Sequence, residues 1–117
     1  KKKYKKGLTN NINHNKIIDL MGQSITQTHA YMKLSDLFIG NDSGLMHLAA
    51  AANITTIGLF GPTNNILYAP YGRNCFVVRT KETFDDFKSM EVDKFKTYMN
   101  TITVDDVIEI IENNNLL

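Results

Sequence analysis

The sequence predicts an α/β protein built on a parallel sheet with helices on both faces. Two observations carry this. Short, largely apolar runs recur at Leu37-Phe38-Ile39, Thr55–Phe60 and Cys75-Phe76-Val77-Val78, as expected of strands buried on both sides. Between the first two lies a stretch of almost pure helix formers, residues 45–52, with four successive alanines from Ala49. Alternation of that kind marks βαβ units, and such sheets bind ligands just beyond the carboxyl ends of their strands.

Each element follows in order. Residues 7–15 are polar and turn-rich and read as a loop. Residues 16–20 form a short apolar run ending in Met21-Gly22, which predicts a buried strand entering a turn. Ser24 is an N-cap candidate, and Gln27 three residues on completes a capping-box pattern. The helix so opened runs to about Lys33, with Ile25, Thr28, His29 and Met32 at helical intervals. Leu37-Phe38-Ile39 predicts a second strand that Gly40 ends. After residues 40–44 comes the alanine-rich helix, then a third strand over Thr55–Phe60, closed by Gly61-Pro62-Thr63. Residues 63–74 are expected as a long loop and 75–78 as a fourth strand. Further helices are expected over 92–99 and from Thr103 to about Glu112. In the last, Asp105 and Asp106 stand in the first turn, where they complement the helix dipole.

A chain of 117 residues is one domain and too short for two ordinary ones. A hydrophobic fraction of 43% and a charged fraction of 21% are those of a globular protein. The net charge of +1 demands no anionic partner. Five of the 13 basic residues are Lys1, Lys2, Lys3, Lys5 and Lys6, leaving eight against 12 acidic ones over the rest, a net of −4. That run reads first as a solvated helix end or terminus, and it allows a peripheral membrane contact. A nucleic-acid role is disfavoured, because no aromatic or arginine-rich surface accompanies it. The single Cys75 excludes an internal disulfide, fits a reducing compartment, and reads as a buried strand thiol. No apolar stretch is long enough to span a bilayer, and no signal-peptide pattern opens the chain. A first residue of Lys is read as the mark of a piece of something longer.

Residues 40–47, Gly-Asn-Asp-Ser-Gly-Leu-Met-His, carry the chemistry. They leave a buried strand and enter a helix, so free N–H groups and the positive dipole end are expected at the sheet's carboxyl edge, a natural anion site. Gly40 and Gly44 are expected to permit close approach and positive φ. Ser43 offers a hydroxyl, and His47 lies about one turn after Gly44. Asp42 suits sugar or ribose hydroxyls better than phosphate, since a carboxylate only accepts. The same Asp-Ser pair reads equally as an ordinary N-cap, and His47 as a structural residue. There is no Walker pattern, no G-x-G-x-x-G, no metal-ligand spacing among His14, His29 and His47, and no supported Ser/His/Asp order.

Several runs together resemble a known family. Residues 19–24 (Asp-Leu-Met-Gly-Gln-Ser), residues 35–51 around Gly-Asn-Asp-Ser-Gly-Leu-Met-His, then Leu59-Phe60-Gly61-Pro62-Thr63 and Pro70-Tyr71-Gly72 are similar to the carboxyl-terminal domain of family 9 glycosyltransferases. These are the ADP-heptose:lipopolysaccharide heptosyltransferases. The likeness is strong over about 16–80 and looser over the last helix. It implies the carboxyl-terminal half of a GT-B architecture, in which two Rossmann-like domains face each other across a cleft. By resemblance, Asp42 binds donor-sugar hydroxyls; Ser43, Gly44 and His47 hold the diphosphate; Asn41 lies in the same donor-binding loop. Gly22 and Gln23 lie near the nucleobase, and Gly61, Pro62 and Thr63 shape the rim. The implied reaction is metal-independent, without cofactor, and inverts at the anomeric carbon as heptose passes from ADP to lipopolysaccharide core. The acceptor domain with its catalytic base, and the donor domain's opening strand, are expected to lie outside these residues, so the chain should not turn over alone. Gln23 stands where relatives carry Thr, Lys or Met, which leaves the base preference open. The implied location is cytoplasmic, at the inner face of the inner membrane.

Two other readings stay in play. One is a GT-B relative with a different nucleotide-sugar or an epimerase activity; the other is a non-catalytic binding module that kept the fold.

Overall fold

A computed structural model describes residues 14–93 and 95–117. The lysine run and most of the polar 7–15 stretch lie outside the described residues. A single 3-10 turn, His14–Lys16, opens them. Helix α1 is Ile25–Lys33, β1 Leu37–Asn41, α2 Gly44–Ala51, β2 Thr55–Phe60 and α3 Asn65–Tyr68. Strand β3 is Cys75–Arg79, α4 Phe84–Lys88 and α5 Val104–Asn113. The three strands form one parallel sheet in the order β1-β2-β3, the Rossmann-like α/β arrangement that the alternation predicted.

Register decides what each face carries. Phe38 and Gly40 stand beside Thr56 and Gly58, and Phe60 beside Arg79; in parallel strands such partners share a face. Helix α2 packs on β1 and β2, with Met46 over Gly58. Helix α1 backs α2 through Met32, Ala49 and Ala52, joined by Phe38, Leu48 and Ile54. The alanines are what let α2 come so close. Ile57 and Val78, on the opposite face, are also buried, and α5 lies against β3. Phe60, Met46, Ile57 and Thr56 are fully enclosed, and each of the apolar three contributes about 1.5–3 kcal/mol by leaving water.

Capping boxes hold three helices. Ser24 and Gln27 close α1 as the sequence predicts, Thr103 and Asp106 close α5, and Thr83 and Asp86 close α4. Three expectations are corrected. Residues 16–20 are not a buried strand: Ile18 is 79% exposed and the segment forms no ladder with β1. A short apolar run satisfies strand and non-strand alike until a neighbour pairs with it. Here the Asp19 carboxylate takes the Met21 N–H (2.9 Å) and starts the turn instead. Residues 92–99 are not a helix. The Asp93 carboxylate accepts from Phe95 N–H (2.9 Å), and Asp93 N–H donates to the Tyr98 hydroxyl (2.8 Å), so side chains outcompete the helical ladder. The helix of this region is α4, a few residues earlier. Finally, the 63–74 loop contains α3, capped by the Asn64 side chain on Ile66 N–H (2.9 Å). Among the described residues no helix is long and apolar enough to cross a membrane.

Candidate functional site at the carboxyl edge of the sheet

The turn from β1 to α2 is two residues long. Asn41 is the last residue of the strand, exposed at the edge. Asp42 is half-buried, and its N–H donates to the Leu59 carbonyl (3.1 Å), carrying the β1–β2 pairing one step past the strand. Ser43 is the N-cap, in extended backbone (φ −162°, ψ 168°); its carbonyl accepts from Met46 and His47 N–H. Its side chain makes no cap hydrogen bond. The other four helices all have one, from Ser24, Asn64, Thr83 and Thr103. Among the described residues α2 alone starts uncapped. The N–H groups of Gly44 and Leu45 find no acceptor among the described residues, and Ser43, Gly44 and His47 are exposed around them. The Asp-Ser pair is therefore not the ordinary side-chain cap that its composition equally allowed.

The glycines of this turn work differently from expectation. Neither Gly40 nor Gly44 has positive φ. Gly40 makes room for a ring: a Cβ there would lie 2.6 Å from Phe38 Cζ. At Gly44 a Cβ would meet nothing within 4 Å, so the space above the helix start is open. A positive φ is found instead at Gly22 (φ 87°), third in a turn closed by Gln23 N–H on the Leu20 carbonyl (3.3 Å), the geometry that requires glycine there. Gly22 and Gln23 are both exposed and lead directly into Ser24, the N-cap of α1. Gly61, Pro62 and Thr63 leave β2 at the edge where Asp42 stands. Gly61 is buried, with a hypothetical Cβ 2.6 Å from Met99 Sδ, while Pro62 and Thr63 are half-buried. The sheet topology brings Asn41, Asp42, Ser43 and Gly44, with His47 in the first turn of α2, to the same edge as the Gly61-Pro62-Thr63 loop.

Compared with known families, residues 2–98 match glycosyltransferase family 9 (heptosyltransferase). The chain belongs to that family. It is 32% identical over 93 residues to a lipopolysaccharide heptosyltransferase 1 of Campylobacter coli, covering 76% of this chain and 25% of the relative. A lipopolysaccharide heptosyltransferase 3 of Escherichia coli is 33% identical over 82 residues, 67% of this chain and 23% of the relative. A lipooligosaccharide heptosyltransferase 2 of Campylobacter jejuni is 50% identical over 36 residues, 31% and 11%. The chain thus spans about a quarter or less of the relatives it matches. No solved structure matches it.

Sequence reasoning about this family 9 chain missed one residue of the edge. Arg79, the last of β3, reaches across to the loop after β2, donating to the Gly61 carbonyl and the Asn65 side chain. A charge closing an apolar strand is a visible signal, but nothing local names its partners. Beside it, Thr101 donates to the Glu82 carboxylate (2.8 Å), and this bond holds the Glu82 carboxyl below its usual range. A cavity of about 520 Å³ lies past Pro62, lined by Val92, Asp93, Phe95, Tyr98 and Met99. It does not include the α2 turn. Burial pushes the Cys75 thiol up, which suits a packed strand residue and not a nucleophile.

Proposed function

We propose that this chain holds the nucleotide-sugar donor of a heptosyl transfer, ADP-heptose, as the donor half of a GT-B transferase. The uncapped start of α2 carries the reading. Its free N–H groups and dipole offer an anion site, with the Ser43 hydroxyl, Gly44 and His47 completing a diphosphate cradle. Asp42 accepts hydroxyls of the donor sugar, with Asn41 beside it. Gly22 and Gln23 take the nucleobase, and Gly61, Pro62 and Thr63 bound the rim. As the anomeric bond breaks, charge accumulates on the departing ADP. The helix terminus and His47 stabilise that charge, with no metal or cofactor in the step.

The names of the relatives support a lipopolysaccharide acceptor; to this we add, as part of the proposal, transfer to its core with inversion at the anomeric carbon. Since the matched region is about a quarter of those proteins, we assign the acceptor and the catalytic base to an amino-terminal half, without which this segment does not turn over. The reaction is placed in the cytoplasm, at the inner face of the inner membrane.

Calorimetry with ADP, UDP and GDP tests the reading. Preference for ADP is expected. Preference for UDP or GDP would move the chain to another nucleotide-sugar, and no binding would make it a non-catalytic module.

A further inference from the structure

The strands of this sheet are largely apolar, yet β3 ends on a half-buried arginine in register with Phe60. The Arg79 guanidinium donates through Nε to the Glu82 carbonyl (3.2 Å) and through Nη2 to the Gly61 carbonyl (2.5 Å). Nη1 donates to the Asn65 side-chain oxygen and lies 3.5 Å from the Thr63 carbonyl. All of these acceptors are uncharged. They belong to the loop after β2, to α3 and to the loop after β3, so one planar group ties two successive carboxyl-end loops together. Only a rigid fork of donors can do this; an ammonium is a point charge.

The tethered loop stands next to the donor turn. Strands β1 and β2 are neighbours, spaced about 4.8 Å apart, and Asp42 N–H bonds the Leu59 carbonyl. The Gly61-Pro62-Thr63 rim therefore rises directly beside Asp42 and Ser43. We propose that Arg79 is the positioning residue of the nucleotide-sugar site: its hydrogen bonds fix the Gly61-Pro62-Thr63 rim against the Asp42-Ser43 turn without touching the ligand. This rests on the donor-site reading above. A rim shifted out of place loses its polar contact with the ligand, and one hydrogen bond lost is worth about a two- to tenfold change in affinity.

Two readouts on the whole chain decide it: ADP affinity by calorimetry, and amide hydrogen exchange at Ile66, whose N–H is held by Asn64. Arg79→Lys keeps the charge and loses the fork. It should weaken ADP binding about two- to tenfold, nearly as far as Arg79→Ala, with faster exchange at Ile66. Asn65→Ala removes one acceptor on a short surface helix, so it reports even where the arginine variants do not fold. It should show a smaller loss in the same direction at an unchanged melting temperature. Full ADP affinity in Arg79→Lys would overturn the proposal, because charge alone would then suffice. Wild-type affinity and wild-type exchange in Asn65→Ala would overturn it as well. If the unmutated chain binds none of ADP, UDP and GDP, the donor reading itself fails. Arg79 is then a loop tether only, whatever the exchange rates.

Discussion

Asp42 and Ser43 look alike in composition, both common helix caps, and their surroundings separate them from that role. The Ser43 side chain makes no cap hydrogen bond, and Asp42 is anchored through its main-chain N–H to Leu59. In the full-length enzyme Asp42→Ala should lower transfer about a hundredfold or more, the order seen when a preorganised polar contact is lost, with an unchanged circular dichroism spectrum. Wild-type turnover would remove Asp42 from the donor site. His47→Ala should weaken ADP binding, and unchanged affinity would leave His47 a structural residue. Gly58 shows the other kind of constraint. It is buried, and a Cβ would stand 2.5 Å from Met46 Sδ and 2.9 Å from Phe60 Cε2. Gly58→Val should cost about 1–3 kcal/mol by urea denaturation, as overpacking does, because α2 must lift from β2.

At the scale of elements, the carboxylates of the capping boxes set an acid limit. Main-chain and hydroxyl donation from Thr83 holds Asp86 below the usual carboxylate range, and Thr103 does the same for Asp106. A depressed folded value means the contribution is complete above the unfolded pKa, about 3.9, and is lost as pH falls through the lower folded value. Helices α4 and α5 should thus keep their starts down to mildly acid pH and fray only below the ordinary carboxylate range. Carboxyl NMR titration of Asp106 checks this, and a midpoint at or above the ordinary value would contradict it. Thr103→Ala should cost about 1 kcal/mol. Box-forming pairs were legible because they are three residues apart. The Ser24 box predicts the start of α1, whereas Thr83-x-x-Asp86, at the same spacing, opens α4 ahead of the helix expected over 92–99, where Asp93 forms a turn instead.

At the scale of the molecule, the sheet brings to one edge the turns after β1, β2 and β3. A ligand that binds the folded edge and not the unfolded chain must stabilise the whole domain. ADP at a hundredfold excess over its dissociation constant should add about 2.7 kcal/mol, read as a rise of several degrees in Tm. His47→Ala should shrink that rise at equal ADP concentration. No rise in the unmutated chain would count against the donor site.

The sequence by itself determined the α/β class, the three strands, the α1 box, the opening of α5 and the strand-to-helix setting of residues 40–47. These are signals carried within a few residues, by periodicity and capping. Tertiary structure decided that residues 16–20 stay out of the sheet, that Gly40 serves the Phe38 ring and not positive φ, and that among the described helices the α2 start alone lacks a side-chain cap. It also decided Arg79, whose partners in the loop after β2 and in α3 lie 14 to 18 positions away. The reason is common to all of these. Whether a strand pairs, a glycine is filled over or a guanidinium finds carbonyls depends on neighbours that only the folded sheet brings together, at distances no local pattern encodes.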